Sequence, residues 1–282
     1  MTVRWSCSTS TILAGCCAAI WAPRSADNQP VTTILTRYGA ATFELAFLSL
    51  IVALIVGIGL GRLAARRRDH AADAGIRVFA ILCYATPVFF LGLMLKLVFA
   101  VWLNVLPPSG RSSFASDMQF QRLVSPTGFY IIDAFQLGDM SVLVDVLRHA
   151  VLPALALGLL TAGVFIRLVR TNVISTYTSG YVEAARSRGV SEGRLLSKHA
   201  WRPAMIPIIT VMGMQIALML AGAVLTETTF EWKGLGFMLS QYLKQRDFVA
   251  VQGIVILIAI IVAVVNFIVD VISALIDPRV RY

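Results

Sequence analysis

Residues able to bind metal ions or to carry out catalysis are few and scattered in this chain. The metal-ligating types are His70, His149, His199, Cys7, Cys16, Cys17 and Cys83, without a CxxC pair or the spacing of a metal site. No cluster of acids, bases and nucleophiles indicates an enzyme, and no GxxxxGK[ST] string indicates a phosphate-binding loop. We therefore predict no catalytic, metal or cofactor site within this chain.

Two charged residues within apolar stretches are the remaining candidates, because a charge inside a membrane is costly and commonly functional. Lys96 is expected to extend toward the membrane surface or to pair internally, with Glu44 or a substrate carboxylate as alternative contacts. Asp270 lies near the end of its apolar stretch. It is expected to reach the inner interface, with a functional role as the alternative.

The most informative stretch is residues 181–210, with the sequence YVEAARSRGVSEGRLLSKHAWRPAMIPIIT. Glu183, Ala184 and Ala185 favour a short helix that begins after Ser179. Gly189 is placed to end that helix in a left-handed conformation, which glycine adopts without strain.

A second helix is predicted directly after this glycine. Ser191 is placed to cap it, and Glu192 is favourable in its first turn. The apolar edge of this helix and the start of the next membrane helix are marked by Leu195, Leu196, His199 and Pro203. One interpretation is a solvated loop. The other is a rigid elbow, Glu183–Pro203, that docks on a partner. The pattern favours the elbow, because a flexible connector would not need two ordered helices.

The elements that must position this elbow lie in a membrane. The chain has 282 residues, of which 58% are hydrophobic and 14% charged, and its mean hydropathy is +0.79. Soluble domains carry about 25% charged residues, so lipid has to cover part of the apolar surface. The net charge of +9 is better explained by basic residues in cytoplasmic loops than by nucleic-acid binding.

Five stretches are long and apolar enough to cross a bilayer as helices, which takes about 20 residues each. They are Ala41–Gly61, Val78–Leu103, Ala150–Val173, Ala204–Leu225 and Phe248–Leu275. The fold class predicted is an all-α, polytopic membrane protein. Pro87 is expected to kink the second span, and the glycines Gly57, Gly59 and Gly61 are expected to allow close helix packing.

The distribution of Lys and Arg predicts the orientation. Fourteen of these residues lie on the side that includes the elbow and the tail 276–282, and six lie in the opposite loops 104–148 and 227–247. The elbow and the C-terminus are therefore expected in the cytoplasm. The outer loop 104–148 is a candidate cap or docking surface. The turn Glu231–Gly234 either packs at the interface or faces an external partner.

The N-terminal segment 1–35 is atypical. Its best apolar run, residues 12–22, is about half of a membrane span. A short or displaced first helix, or a start site that truncates a longer chain, is the preferred interpretation. A signal-like segment or a lipoprotein cleavage box is the weaker one.

The sequence resembles the permease subunits of ABC importers, within the dipeptide/oligopeptide (nickel) subfamily. Glu183, Ala184, Ala185 and Gly189 match the family's signature, in which EAA is followed by three residues and a glycine. The later string HAWRPAMIPIIT resembles the subfamily's HALRNALIPVVT, with Pro203 in place of asparagine. Further similar strings include TETTFEWKGLG and RDFVAVQG, and the resemblance covers residues 36 to 282.

This resemblance implies a type I ABC importer transmembrane fold with six helices, spanning residues 36–275 and carrying a coupling loop at 174–203. It implies these partners in a bacterial inner membrane: a second homologous permease, two ATPase subunits, an extracytoplasmic substrate-binding protein and a peptide substrate. The residues implied to contact the ATPase are Glu183, Ala184, Ala185, Gly189, Leu195, His199 and Pro203. One alternative is a member of the same family that imports nickel chelates or glutathione. The other is a self-contained secondary transporter, a class that often shows internal repeats, and we see none in this sequence.

Overall fold

The computed structural model describes residues 31–123 and 126–276, apart from some side chains within its helices. The described part is helical and contains no strand. Its helices are α1 Val31–Arg66, α2 Ala71–Ala85, α3 Val88–Leu95, α4 Phe114–Phe120, α5 Tyr130–Leu137, α6 Met140–Tyr177, α7 Gly180–Ser187, α8 Glu192–Arg194, α9 Trp201–Phe230, α10 Leu235–Gln245 and α11 Phe248–Ile276. Two π-helical segments, Lys96–Trp102 and Leu195–Ala200, continue α3 and α8.

Three helices in the described part are long and apolar enough to cross a membrane on their own. They are α1 over Tyr38–Arg66, α6 over Met140–Tyr177 and α11 over Phe248–Val269, and the pair α2–α3 passes the same test as one bent unit. The fourth predicted span falls within α9, in which Leu218–Phe230 forms a shorter apolar helix. The chain is therefore a multi-pass, all-α membrane protein, as predicted.

Helices α1 and α6 form the central pair of the fold, and small residues set their close approach. A Cβ built on Gly57 would lie 2.5 Å from the Cβ of Phe165, and one on Gly61 would lie 2.7 Å from the Cβ of Val169. Glycines four residues apart let helix backbones approach closely in membranes. The predicted packing role is confirmed for these two glycines but not for Gly59, which has no such neighbour within 4 Å.

The second predicted span is broken rather than kinked. Helix α2 ends at Ala85, α3 begins at Val88, and the two are bent by 108°. Thr86 is extended, with φ −80° and ψ 127°, because a following proline disfavours the helical conformation. Its hydroxyl and its N–H both donate to the Leu82 carbonyl oxygen, at 2.6 and 3.1 Å, which anchors the residue at the end of α2.

The segment 104–148, predicted to be a cap or a docking surface on the outer side, is folded. It contains α4, α5 and the start of α6, and its core comprises Phe120, Ala134, Val142 and Val146, all buried. The Asp133 carboxylate is buried and accepts hydrogen bonds from the backbone N–H groups of Thr127 and Gly128 at 2.8 and 3.1 Å.

Candidate functional site

The elbow begins with helix α7, which ends as the sequence predicts. Gly189 has a φ of +81°, the left-handed conformation expected of it. Its N–H donates to the Arg186 carbonyl oxygen at 2.9 Å, and the Val190 N–H donates to the Ala185 carbonyl oxygen at 3.3 Å. These two bonds form a Schellman motif, which satisfies the last carbonyls of the helix.

The second half of the elbow leads directly into α9. Ser191 precedes α8, but its side chain makes no capping hydrogen bond, so the prediction of a side-chain cap is wrong. Its carbonyl oxygen accepts the N–H groups of Arg194 and Leu195, each at 2.9 Å. The π-helical segment Leu195–Ala200 then joins α9, and the exposed Pro203 lies in the first turn of α9.

A cluster of three side chains fastens the two halves together. The Arg186 Nε donates to Glu192 Oε1 at 2.8 Å, the Tyr177 hydroxyl also donates to Glu192, and the Arg186 guanidinium lies over the Tyr177 ring at 5.1 Å. Hydrogen bonds from Arg186, then from Tyr177, hold the pKa of the Glu192 carboxyl below its ordinary value. Hydrogen bonds to Glu192, then to Tyr177, raise the pKa of Arg186, so the carboxylate and the guanidinium both stay charged at neutral pH.

The elbow has one buried face and one exposed face. Val182 and Leu195 are fully buried, and Leu196 packs against a cluster that includes Val169 and Val173 of α6. On the other face the Glu183 side chain is 70% exposed. Ala184 and Gly189 are also exposed, and Ala185 is half-buried. The elbow is therefore docked on the helix bundle while its signature residues face outward.

A cavity of about 510 Å³ separates part of the elbow from the ends of α1 and α6. Its lining carries charges of both signs, from Arg66, Arg68 and Arg186 and from Glu183 and Glu192. The described part of the elbow thus presents a charged recess beside its exposed face.

The remaining predicted residues lie elsewhere. The Lys96 Nζ donates to the Thr229 carbonyl oxygen at 2.7 Å and lies over the Phe230 ring at 5.2 Å. Its suggested contact with Glu44 is wrong, because Glu44 binds Arg111 instead. Asp270 lies in α11 and His199 in the second π-helical segment, and their side chains are outside the described residues.

Sequence reasoning missed a second ordered site, at the opposite end of the helices. The Glu227 carboxylate is fully buried and accepts the Thr42 hydroxyl at 2.7 Å and the Phe237 N–H at 2.9 Å. The Trp232 indole N–H donates to the Ala41 carbonyl oxygen at 2.9 Å. The turn Glu231–Gly234 therefore packs against α1 through Trp232, while the side chains of Glu231 and Lys233 are exposed.

A buried ion pair lies beside this turn. Arg111 Nη2 lies 2.5 Å from Glu44 Oε2, and its guanidinium is 3.7 Å from the Tyr130 ring centroid. Glu44 Oε1 also accepts the Ile131 N–H at 2.8 Å. The only sequence signals for these contacts were an acid within the first apolar stretch and the aromatic residues of the outer segments.

Comparisons with known proteins agree on one family. Residues 57–282 match the family described as "Binding-protein-dependent transport system inner membrane component". The dipeptide transport system permease protein DppB of Escherichia coli K12 is 39% identical over 243 residues, which cover 86% of this chain and 71% of that protein. The peptide transport system permease protein SapB of Salmonella typhimurium is 38% identical over 259 residues, covering 90% and 78%.

The fold is also that of a solved transporter. A chain of the inward-facing MetNI methionine ABC transporter superposes with a TM-score of 0.66, covering 88% of this chain and 99% of that one. Its sequence identity is 15%, so this likeness concerns the fold alone. It confirms the predicted type I importer architecture.

Proposed function

Because the chain belongs to the family of binding-protein-dependent transport system inner membrane components, we propose that it forms the membrane channel of an ATP-driven peptide importer and receives force through its elbow. The observation that carries this proposal is the two-faced elbow, in which Val182 and Leu195 are buried while Glu183 is exposed. A short helix fixed to the bundle transmits a displacement that a loose loop would absorb.

The elbow is the docking element for a cytoplasmic ATPase. The residues assigned to that contact or to its support are Glu183, Ala184, Ala185, Gly189, Leu195, His199 and Pro203. The exposed members of this set would touch the ATPase, and Leu195 would hold the elbow on the bundle. Closure of the ATPase dimer would then move α9, which continues from the elbow without a break in the helical backbone.

The complete importer would contain further subunits. We place a second homologous permease beside this chain, two ATPase subunits beneath the elbows, and a substrate-binding protein on the opposite face. The excess of basic residues on the side of the elbow supports a cytoplasmic elbow and C-terminus. ATP hydrolysis would reside in the partner subunits, and this chain would be the permease.

The Glu183→Arg substitution tests the docking assignment. We expect this variant to insert into membranes at the wild-type level and to lose co-purification of a P-loop ATPase, because it reverses an exposed charge on the docking face. Ser191→Arg, which adds the same cation at another exposed position of the elbow, is the control. Retention of the ATPase by Glu183→Arg at the wild-type level would contradict the assignment.

A short peptide is the substrate class proposed. The relatives named as dipeptide and peptide permeases support it. Uptake of a labelled dipeptide by the assembled importer should be suppressed by unlabelled dipeptides. If nickel chelates or glutathione compete and dipeptides do not, the peptide assignment is wrong even though the importer itself is correct.

A further inference from the structure

A groove between α2 and α6 lies at the same end of the helices as the elbow. Its volume is about 150 Å³, and its lining includes Ile81, Tyr84, Val164 and the arginines Arg77, Arg167 and Arg170. We propose that this groove binds an anionic phospholipid, with the phosphate on Arg77 and Arg167 and an acyl chain along the apolar wall. None of the residues that line the groove belongs to the elbow.

The shape of the groove follows from two contacts between α2 and α6. At one end the helices touch, because a Cβ on Gly163 would lie 2.7 Å from the Ala80 carbonyl oxygen. At the other end Arg170 reaches across to Asp73, with Nε 2.6 Å from Oδ1 and Nη2 2.7 Å from Oδ2. The groove lies between these contacts, and both are fixed by side chains or by close backbone packing.

The charge at the mouth of the groove is positive and poorly compensated. Asp73 is fully buried, and its two oxygens are occupied by Arg170. Arg77 approaches the same carboxylate only to 3.8 Å and keeps 55% of its side chain exposed. Within the described part of the chain, no hydrogen bond or ion pair holds the exposed Arg167 side chain, and its guanidinium lies 5.9 Å from the centroid of the Tyr84 ring. Two guanidinium groups are therefore available to an anion.

The wall of the groove is apolar and faces outward. Ile81 is 64% exposed and Tyr84 is 59% exposed. Large exposed apolar side chains require a covering in water but not in lipid. A ligand that places a phosphate on Arg77 and Arg167 and a hydrocarbon chain on Ile81 matches both parts of the groove. Basic pockets between transmembrane helices are sites of this kind for anionic lipid headgroups, and Tyr is favoured at the depth of the headgroups.

The test measures the lipid that the intact importer retains after extraction into detergent and reconstitution. The complex is equilibrated with vesicles of phosphatidylcholine that contain a minor fraction of phosphatidylglycerol, is repurified, and its bound lipids are quantified per protein. We expect the wild-type complex to be enriched in phosphatidylglycerol. Each of Arg77→Gln and Arg167→Gln should lower that enrichment about fivefold, which corresponds to about 1 kcal/mol for each basic residue near an anionic surface.

Two further variants keep the result interpretable. Arg194→Gln removes an exposed cation at the elbow, outside the groove, and should retain the wild-type enrichment. Arg167→Lys keeps the charge and should retain most of it, so loss in Arg167→Gln cannot be ascribed to misfolding.

Three outcomes would overturn the proposal. The first is equal enrichment in the Arg77→Gln, Arg167→Gln double variant and in Arg194→Gln. The second is displacement of the lipid by inorganic phosphate alone or by a dipeptide, which would assign the groove to a free anion or to the substrate. The third is the absence of enrichment in the wild-type complex, as expected if the second permease subunit covers the groove.

Discussion

Arg186 binds Glu192 across the turn at Gly189, with the Nε of Arg186 2.8 Å from Oε1 of Glu192. The two residues belong to different helices of the elbow, α7 and α8. The Schellman motif at Gly189 and this side-chain contact connect the same two helices. Together they fix the angle between α7 and α8. Because both side chains are charged and solvent-accessible, this is a geometric constraint more than a large source of stability.

The Arg186–Glu192 contact predicts a pH dependence of the elbow. The pKa of Glu192 is lowered in the folded chain, mainly by Arg186, from an ordinary value of 4.5. Because this pKa is lower in the folded chain than in the unfolded one, the Glu192 charge stabilises the folded form above about pH 4.5. This contribution is lost as the pH falls through the folded pKa. The hydrogen-exchange protection factors of residues 186–192 should therefore be independent of pH near neutrality and should fall below about pH 4.5. Glu192→Gln should remove this acid step, and an unchanged step in that variant would exclude Glu192 as its source.

The left-handed turn at Gly189 predicts a selective loss of coupling. Gly189→Pro cannot adopt a φ of +81° and removes the N–H that donates to Arg186, so ATP-driven uptake should be abolished while membrane insertion is kept. Gly189→Asn should keep part of the uptake, since asparagine tolerates this conformation. Gly193→Ala, at a glycine whose built Cβ meets no neighbour, is the control. Uptake by Gly189→Pro at the wild-type level would show that the turn is dispensable.

The packing of α1 on α6 predicts a large effect at two glycines and a small one at their neighbour. Gly57→Leu or Gly61→Leu would force α1 away from Phe165 or Val169, at a cost of about 1–3 kcal/mol or more. Gly59→Leu should have little effect, because its Cβ has open space. The thermal midpoint of the purified protein in detergent measures the difference. Equal midpoints for the three variants would mean that the helices do not approach this closely.

The ion pair of Asp73 and Arg170 predicts that removal of one charge destabilises the protein more than removal of both. Asp73 is fully buried and the Arg170 side chain is 20% exposed. Asp73→Asn leaves this guanidinium without its anion, at a cost below the roughly 3–5 kcal/mol that applies to a fully buried pair. The double variant Asp73→Leu, Arg170→Leu should recover much of that loss, because no buried charge remains. Asp69→Asn, at a side chain that is 80% exposed, serves as the control. If the double variant is less stable than Asp73→Asn, the pair contributes more than the removal of a lone charge explains.

The parts of the fold that local sequence encodes could be predicted. The left-handed Gly189, the helical Glu183–Ala185 and the close packing at Gly57 and Gly61 follow from residue type and spacing, and the structure confirms each of them. The apolar stretches also predicted the helices, since long apolar runs have few alternatives in lipid.

The parts that depend on distant partners could not be predicted. Glu44 is 67 residues from Arg111, and Asp73 is 97 residues from Arg170. No periodicity relates such pairs, so Lys96 was wrongly paired with Glu44 as one alternative. The missing side-chain cap at Ser191 has a different cause, because the backbone carbonyl of that residue accepts both N–H groups of the next turn.

The break between Ala85 and Val88 has a consequence for the solvent around this protein. Helix α2 has 15 residues, or about 22 Å of length, and is too short to cross a hydrocarbon core of about 30 Å. Chain that leaves a helix at this depth cannot be wetted by acyl chains, because its carbonyls would have no donors. The carbonyls that end α2 therefore require donors from water or from protein wherever the break lies within the hydrocarbon core, because lipid cannot supply them.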